Sequence, residues 1–117
     1  MAITVYGIRN CDTVRKALDW LDQRGVDYSF HDYRKSGAPS DRLAAWADLL
    51  GWEQLANTRG TTWRKIPEAE RAALDRSRML ALLKSQPSAI RRPAVEWQGG
   101  GLTLGFDPAA FARSLDQ

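Results

Sequence analysis

One cysteine, Cys11, occurs among the 117 residues, in the stretch TVYGIRNCDTVRKAL, residues 4–18. A thiol is a nucleophile only as the thiolate, and a free cysteine with a pKa near about 8.5 is mostly protonated at neutral pH. A helix N-terminus offers free N–H groups and a positive dipole end, both of which favour the anion. With Asn10 as the cap, Cys11 falls in the first turn of a helix. Arg9, Arg15 and Lys16 add positive charge there, and Asp12 opposes them. The plain alternative is a small buried hydrophobe. Position argues against it, because Cys11 lies in a polar turn and not on the periodic apolar face. Val14 stands where the second cysteine of a CxxC pair would be. An internal dithiol switch is therefore excluded at this site. Any disulfide formed in turnover is with another molecule, such as glutathione or a protein thiol.

The elements that must position this thiol can be read from spacing. Ile3 to Tyr6 is an apolar, β-branched run that predicts a strand, broken by Gly7. Val14, Ala17, Leu18 and Leu21 recur at helical spacing, so a helix is expected from about Asp12 to Arg24, with Gly25 as its terminator. Residues 26–33 predict a second strand with Val26, Tyr28 and Phe30 on one face. RKSGAPS is a loop. Ser40 caps a helix carrying Leu43, Trp46, Ala47 and Leu50, and Gly51 ends it. Residues 57–65, NTRGTTWRK, read as a loop. Pro67 is placed at the first position of a short helix through Leu74, and Ser77 caps another, ended by Pro87. PAVEW (93–97) and LTLGF (102–106) flank QGGG as a hairpin. Asp107 and Pro108 open a last helix through Leu115. The β-α-β start implies two parallel strands, and the hairpin adds an antiparallel pair. The fold class is α/β, a thioredoxin-like four-stranded mixed sheet. One domain is expected over 1–117, with a helical insertion at about 40–86.

Composition narrows the function classes. Hydrophobic residues make up 44%, and a chain of this length buries roughly 65% of its unfolded surface, enough for a core without metal or disulfide staples. The net charge of +3 is mildly basic. It permits anion binding, but the basic residues form no run or tail that would single out nucleic acid. No stretch resembles a signal peptide or is long enough to span a membrane, so a cytoplasmic protein is expected.

Four motifs, YGIRNCDTVRKAL, NTRGTTWRK, IRRPAVEW and GFDPAAF, occur in this order and cover nearly the whole chain. Together they resemble the arsenate reductase family of the glutaredoxin-like type, in the branch that includes the YffB proteins and the regulator Spx. The resemblance implies a thioredoxin-like fold with an inserted helical segment. It implies that Cys11 is the nucleophile. Arg64 matches a family arginine in the loop after the inserted helices, and Arg92 matches one just before a proline. It implies further that Pro93 is cis and faces the thiol. Two family residues are absent: Gly7 stands in place of a histidine, and Asp107 in place of an arginine before Pro108. These departures weaken arsenate reduction and favour the YffB-like branch, regarded as glutathione-dependent thiol reductases.

On this resemblance Cys11 and Arg92 are the expected catalytic residues. Arg64, Pro93, Thr13 and Arg15 are expected to bind glutathione or substrate. Glutathione carries two carboxylates, and a planar guanidinium binds a carboxylate or an oxyanion in bidentate fashion. Without the resemblance, Arg64 reads as a solvated loop charge and Arg92 as a surface ion-pair partner. Arg91 is expected on the opposite face of an extended segment. His31, the sole histidine, reads as a half-exposed strand residue. Trp63 is notable for preceding Arg64. The leading expectation is a glutathione-dependent monothiol reductase that needs no metal and acts on an oxidised substrate the residues do not identify. The alternatives are arsenate reduction proper, and a Spx-like module that docks on RNA polymerase without a CxxC switch.

Overall fold

The computed structural model describes residues 2–116 and contains a four-stranded mixed sheet flanked by helices. Strand β1 (Ile3–Gly7) leads into helix α1 (Asp12–Gln23), which returns to β2 (Tyr28–Asp32). Next come α2 (Tyr33–Ser36), α3 (Ser40–Leu50), α4 (Thr61–Arg64), α5 (Glu68–Ala72) and α6 (Arg76–Ser85). The chain closes with the hairpin β3 (Ala94–Glu96) and β4 (Leu102–Leu104), then α7 (Pro108–Leu115). Sheet order is β2-β1-β3-β4. β1 pairs in parallel with β2 and antiparallel with β3, and β3 pairs antiparallel with β4. This is the expected thioredoxin-like arrangement.

The chain divides into two compact units. One comprises the residues up to Lys35 together with those from Arg92 onward, and holds the sheet, α1 and α7. The other runs from Ser36 to Arg91, somewhat wider than the expected insertion. In the first unit, Ile3, Val5, Val95 and Trp97 share one sheet face. With Ala17, Trp20 and Leu21 of α1 and Phe111 of α7 they form the core. Phe111 is fully buried and meets Trp20, Trp97 and Phe106 edge-on, with ring centroids 5.5, 4.9 and 5.0 Å away. Such edge-to-face contacts suit the ring quadrupoles. In the second unit α3 packs against α6, and Trp46, Leu43 and Leu83 are buried.

Several boundaries differ from the sequence expectation, each for a local reason. The second strand starts at Tyr28 rather than Val26. Gly25, at φ 65°, closes α1 with its N–H on the Asp22 carbonyl, while the Val26 N–H reaches Leu21 O at 3.1 Å. These two bonds make a Schellman cap and commit Val26 to the helix end. Tyr33 opens α2 because the Asp32 carboxylate accepts the Arg34 N–H at 2.9 Å, so RKSGAPS is partly helical. Residues 57–65 contain a helix, α4, started where the Gly60 carbonyl accepts the Arg64 N–H at 3.2 Å. Asp75, not Ser77, caps α6, its carboxylate accepting the Arg78 N–H at 2.8 Å. Pro39 and Pro67 are the residues just before α3 and α5, which shifts Ser40 and Glu68 to first helical positions. Leu50 is 40% exposed, off the buried face of α3.

Candidate active site

β1 ends at Gly7, and a short turn through buried Ile8 and exposed Arg9 and Asn10 reaches Cys11. Cys11 is itself the N-cap of α1, with extended backbone angles (φ −130°, ψ 125°). Asn10 is therefore not the cap. The Cys11 carbonyl accepts the first helical bond, from the Arg15 N–H at 2.9 Å. The half-exposed thiol occupies the place where a serine or aspartate oxygen would otherwise cap a helix.

Arg92 lies just before β3, the antiparallel neighbour of β1. β1 and β3 run antiparallel with Tyr6 opposite Ala94, so the chain just before β3 lies beside the chain just after β1. The Arg92–Pro93 peptide bond is cis, as the resemblance implied. Pro93 is fully buried, and its carbonyl accepts the Gly105 N–H at 2.9 Å. Burial alone would push the Cys11 thiol up. The N–H of Val14, the Arg92 guanidinium through a hydrogen bond and through its charge, and the N–H of Thr13 outweigh it, and the pKa falls below the ordinary thiol value. Among the described residues no side-chain capping bond closes this turn; the N–H groups of Val14 and Thr13 favour the sulfur's anion.

Of the expected residues, Cys11, Thr13, Arg15, Arg92 and Pro93 all belong to the sheet unit. Their roles diverge. Thr13 contributes its backbone N–H, with its side chain exposed. Exposed Arg15 pairs with Asp12, and Arg9 lies over the Phe30 ring at 4.8 Å. The cation that acts on the thiol is thus Arg92, not the sequence neighbours Arg9 and Arg15. Arg64 is exposed at the end of α4, in the insertion unit. Arg91 belongs to that unit too, with its backbone N–H on the Leu55 carbonyl at 2.8 Å. Trp63 is half-buried in α4. His31 is half-buried and meets the Tyr6 ring at a tilt and the Tyr33 ring edge-on, at 5.2 and 5.9 Å between centroids. Among the described residues, no group of three His, Cys, Asp or Glu is placed to hold a metal, and no helix is long and apolar enough to cross a membrane.

One feature of this surrounding escaped the sequence. Tyr6 donates its hydroxyl to the Glu96 carboxylate at 2.8 Å, on the sheet face opposite the aromatic core. Tyr33 is 2% exposed, and its hydroxyl has no hydrogen-bond partner among the described residues. Burial, then Tyr6 and Glu96, push its ionisation up, while the Arg92 charge pulls the other way. Buried Tyr6 and Tyr33 and half-buried Glu96 therefore lie within electrostatic reach of Arg92. Alternation along β1 and β3 could have placed Tyr6 and Glu96 on one face, but nothing local links Tyr33 to them.

The model of the ArsC family matches residues 6–114. The chain belongs to the ArsC family. An uncharacterized protein of Haemophilus influenzae is 42% identical over 114 residues, covering 94% of this chain and 99% of that protein. The solved structure of the YFFB (PA3664) protein superposes with a TM-score of 0.91 at 43% identity, over 97% of this chain and 99% of the other. The global transcriptional regulator Spx of Streptococcus pyogenes is 27% identical over 95 residues, which is 80% of this chain and 70% of Spx. Within the ArsC fold, this chain pairs a thiol at a helix N-cap with an arginine before a cis proline.

Proposed function

We propose that the chain is a glutathione-dependent monothiol reductase with Cys11 as its nucleophile. The observation that carries this reading is the half-exposed Cys11 at a helix N-cap, its thiolate favoured by Arg92 and two backbone N–H groups, with fully buried Val14 where a second thiol would be. The Cys11 thiolate attacks one sulfur of an oxidised disulfide substrate. A Cys11–substrate disulfide forms and the other sulfur leaves as a thiolate. Glutathione thiolate then attacks to give the Cys11–glutathione mixed disulfide and the reduced substrate. A second glutathione releases oxidised glutathione and restores the Cys11 thiolate. Arg92 holds a glutathione carboxylate. The abundance of glutathione in the cytoplasm fits this chemistry.

The test is mass spectrometry after incubation with oxidised glutathione. The expected result is one glutathionyl adduct, reversed by reduced glutathione and absent in Cys11→Ser. An unmodified wild-type protein would sink the reading. A second reading, docking on RNA polymerase as a regulator without a thiol pair, is favoured by the similarity to Spx over most of the chain. Reduced glutathione discriminates the two: a docking module has no need to bind it near Cys11. Arsenate reduction is less favoured, because Gly7 and Asp107 replace the family's histidine and arginine.

A further inference from the structure

The insertion unit holds a cavity of about 390 Å³, lined among others by Glu53, Gln54, Asn57, Thr58, Arg59 and Arg91. Its size lies in the range of small-molecule sites, about 300–1,000 Å³. Its frame is tied together by backbone bonds. Ala56 and Ile90 form an antiparallel bridge, the Asn57 N–H donates to the Ala89 carbonyl at 2.7 Å, and the Arg91 N–H to the Leu55 carbonyl at 2.8 Å. The Gly60 N–H closes a turn on the Asn57 carbonyl at 3.2 Å. A Cβ at Gly60 would fall 2.8 Å from the Asn57 side-chain nitrogen, so glycine there lets the Asn57 amide lie across the turn.

Charge selects the ligand. Residues 36–91 carry nine Lys or Arg against six Asp or Glu, so the whole +3 of the chain resides in this unit. Three of the acids, Asp41, Asp48 and Asp75, pair with Arg42, Arg76 and Arg78. Arg59 and Glu53 line the cavity without an ion pair among the described residues. Two guanidiniums suit a carboxylate. Glu53 repels a bare anion but accepts an ammonium group. Gln54, Asn57 and Thr58 offer donors and acceptors for amide or hydroxyl groups. We propose that this cavity binds an α-amino-acid zwitterion, free or as the γ-glutamyl end of a peptide. Its carboxylate lies between Arg59 and Arg91 and its ammonium faces Glu53. The site is independent of Cys11 and of the reductase reading.

The experiment is an amide chemical-shift titration of the Cys11→Ser protein with L-glutamate and with γ-glutamylglycine. Neither probe carries a thiol, so failure here leaves the reductase reading untouched. Saturable shifts at Gln54, Asn57, Thr58 and Arg59 with either probe support the site, and the stronger probe tells free amino acid from γ-glutamyl end. Arg59→Gln should weaken binding about tenfold, the loss of one charge-assisted hydrogen bond. Glu53→Gln should weaken both zwitterions yet strengthen succinate, which lacks the ammonium. Both positions are exposed, so these variants should keep the wild-type circular dichroism. Absence of saturable shifts with both zwitterions overturns the proposal. So does wild-type affinity in Arg59→Gln, or inorganic phosphate or succinate binding as tightly as glutamate.

Discussion

Arg92→Ala should change two observables together. The first is the pH at which Cys11 becomes reactive. In the native protein, burial raises the thiol pKa, and the Val14 N–H, the Arg92 guanidinium and the Thr13 N–H bring it below the ordinary value. Removing the guanidinium leaves burial and the backbone in place, so the inflection of iodoacetamide alkylation against pH should move upward. The second is glutathione affinity. A hydrogen bond to a charged group contributes about 1.5–3 kcal/mol. Arg92 is only half-buried, so solvent screening favours the lower end. A loss of about 1.5 kcal/mol is roughly a tenfold rise in Kd. Arg92→Lys keeps the charge but not the planar fork, and should fall between wild type and alanine. Reduced glutathione is titrated while amide shifts are followed. An unchanged affinity, or an inflection that stays put or moves down, would refute the assignment of Arg92.

Linkage gives the same variant a signature in stability. The folded pKa of Cys11 is depressed, so its thiolate contributes stability that is present above the unfolded thiol pKa and lost as pH falls through the folded pKa. Arg92→Ala shrinks that contribution. Above the ordinary thiol range the variant should lose stability relative to wild type. The share of that gap due to Cys11 should close as pH falls through the folded pKa, and should be missing in a Cys11→Ser background.

Three further outcomes follow from packing. Phe111→Ala should cost about 3–5 kcal/mol, read as a lowered urea midpoint, because the ring is fully buried among Trp20, Trp97 and Phe106. Asp107→Ala should cost about 1 kcal/mol in thermal unfolding, since its carboxylate accepts the Ala109 N–H at 3.1 Å, and Asp107→Asn should keep most of it. Gly7→Ala should cost about 1–3 kcal/mol as overpacking, because the new Cβ would sit 2.9 Å from Val14 Cγ2. In a Val14→Ala background that cost should shrink, so the two changes should be non-additive in chemical denaturation.

What could be read from the sequence was whatever local spacing encodes. The periodic apolar residues of α1, the Asp-Pro start of α7 and the glycine-bounded hairpin each announce themselves within a few residues. Arg92 and Pro93 were legible only through the motif RRP in its place in the family order. No local signal says that the start of β3 lies beside the end of β1; the antiparallel register of Tyr6 with Ala94 decides that. The misplaced cap shows the same limit. Asn10 and Cys11 are adjacent, asparagine is the better capping side chain, and only the backbone angles reveal that the helix starts after the cysteine. The cationic neighbours Arg9 and Arg15 misled for a related reason: proximity in sequence put them near the thiol, but Phe30 and Asp12 claim them.

The two departures from the arsenate reductase pattern now have physical causes that point the same way. Gly7 is buried against Val14, which is itself fully buried. A histidine at position 7 would have to displace a stiff, β-branched side chain in the first turn of α1, the turn whose N–H groups act on Cys11. The valine that replaces a second thiol therefore also closes the space a histidine would need, and the two absences are one packing decision. Asp107 accepts the Ala109 N–H and starts α7, whose Phe111 anchors the core. An arginine there would forfeit the cap. Neither position can be returned to the oxyanion pattern without a structural cost. On the proposed function, Cys11 is left with a backbone turn and Arg92, a set that favours a thiolate and offers a guanidinium to a carboxylate. That set suits exchange with a carboxylate-bearing thiol better than reduction of a multiply charged oxyanion.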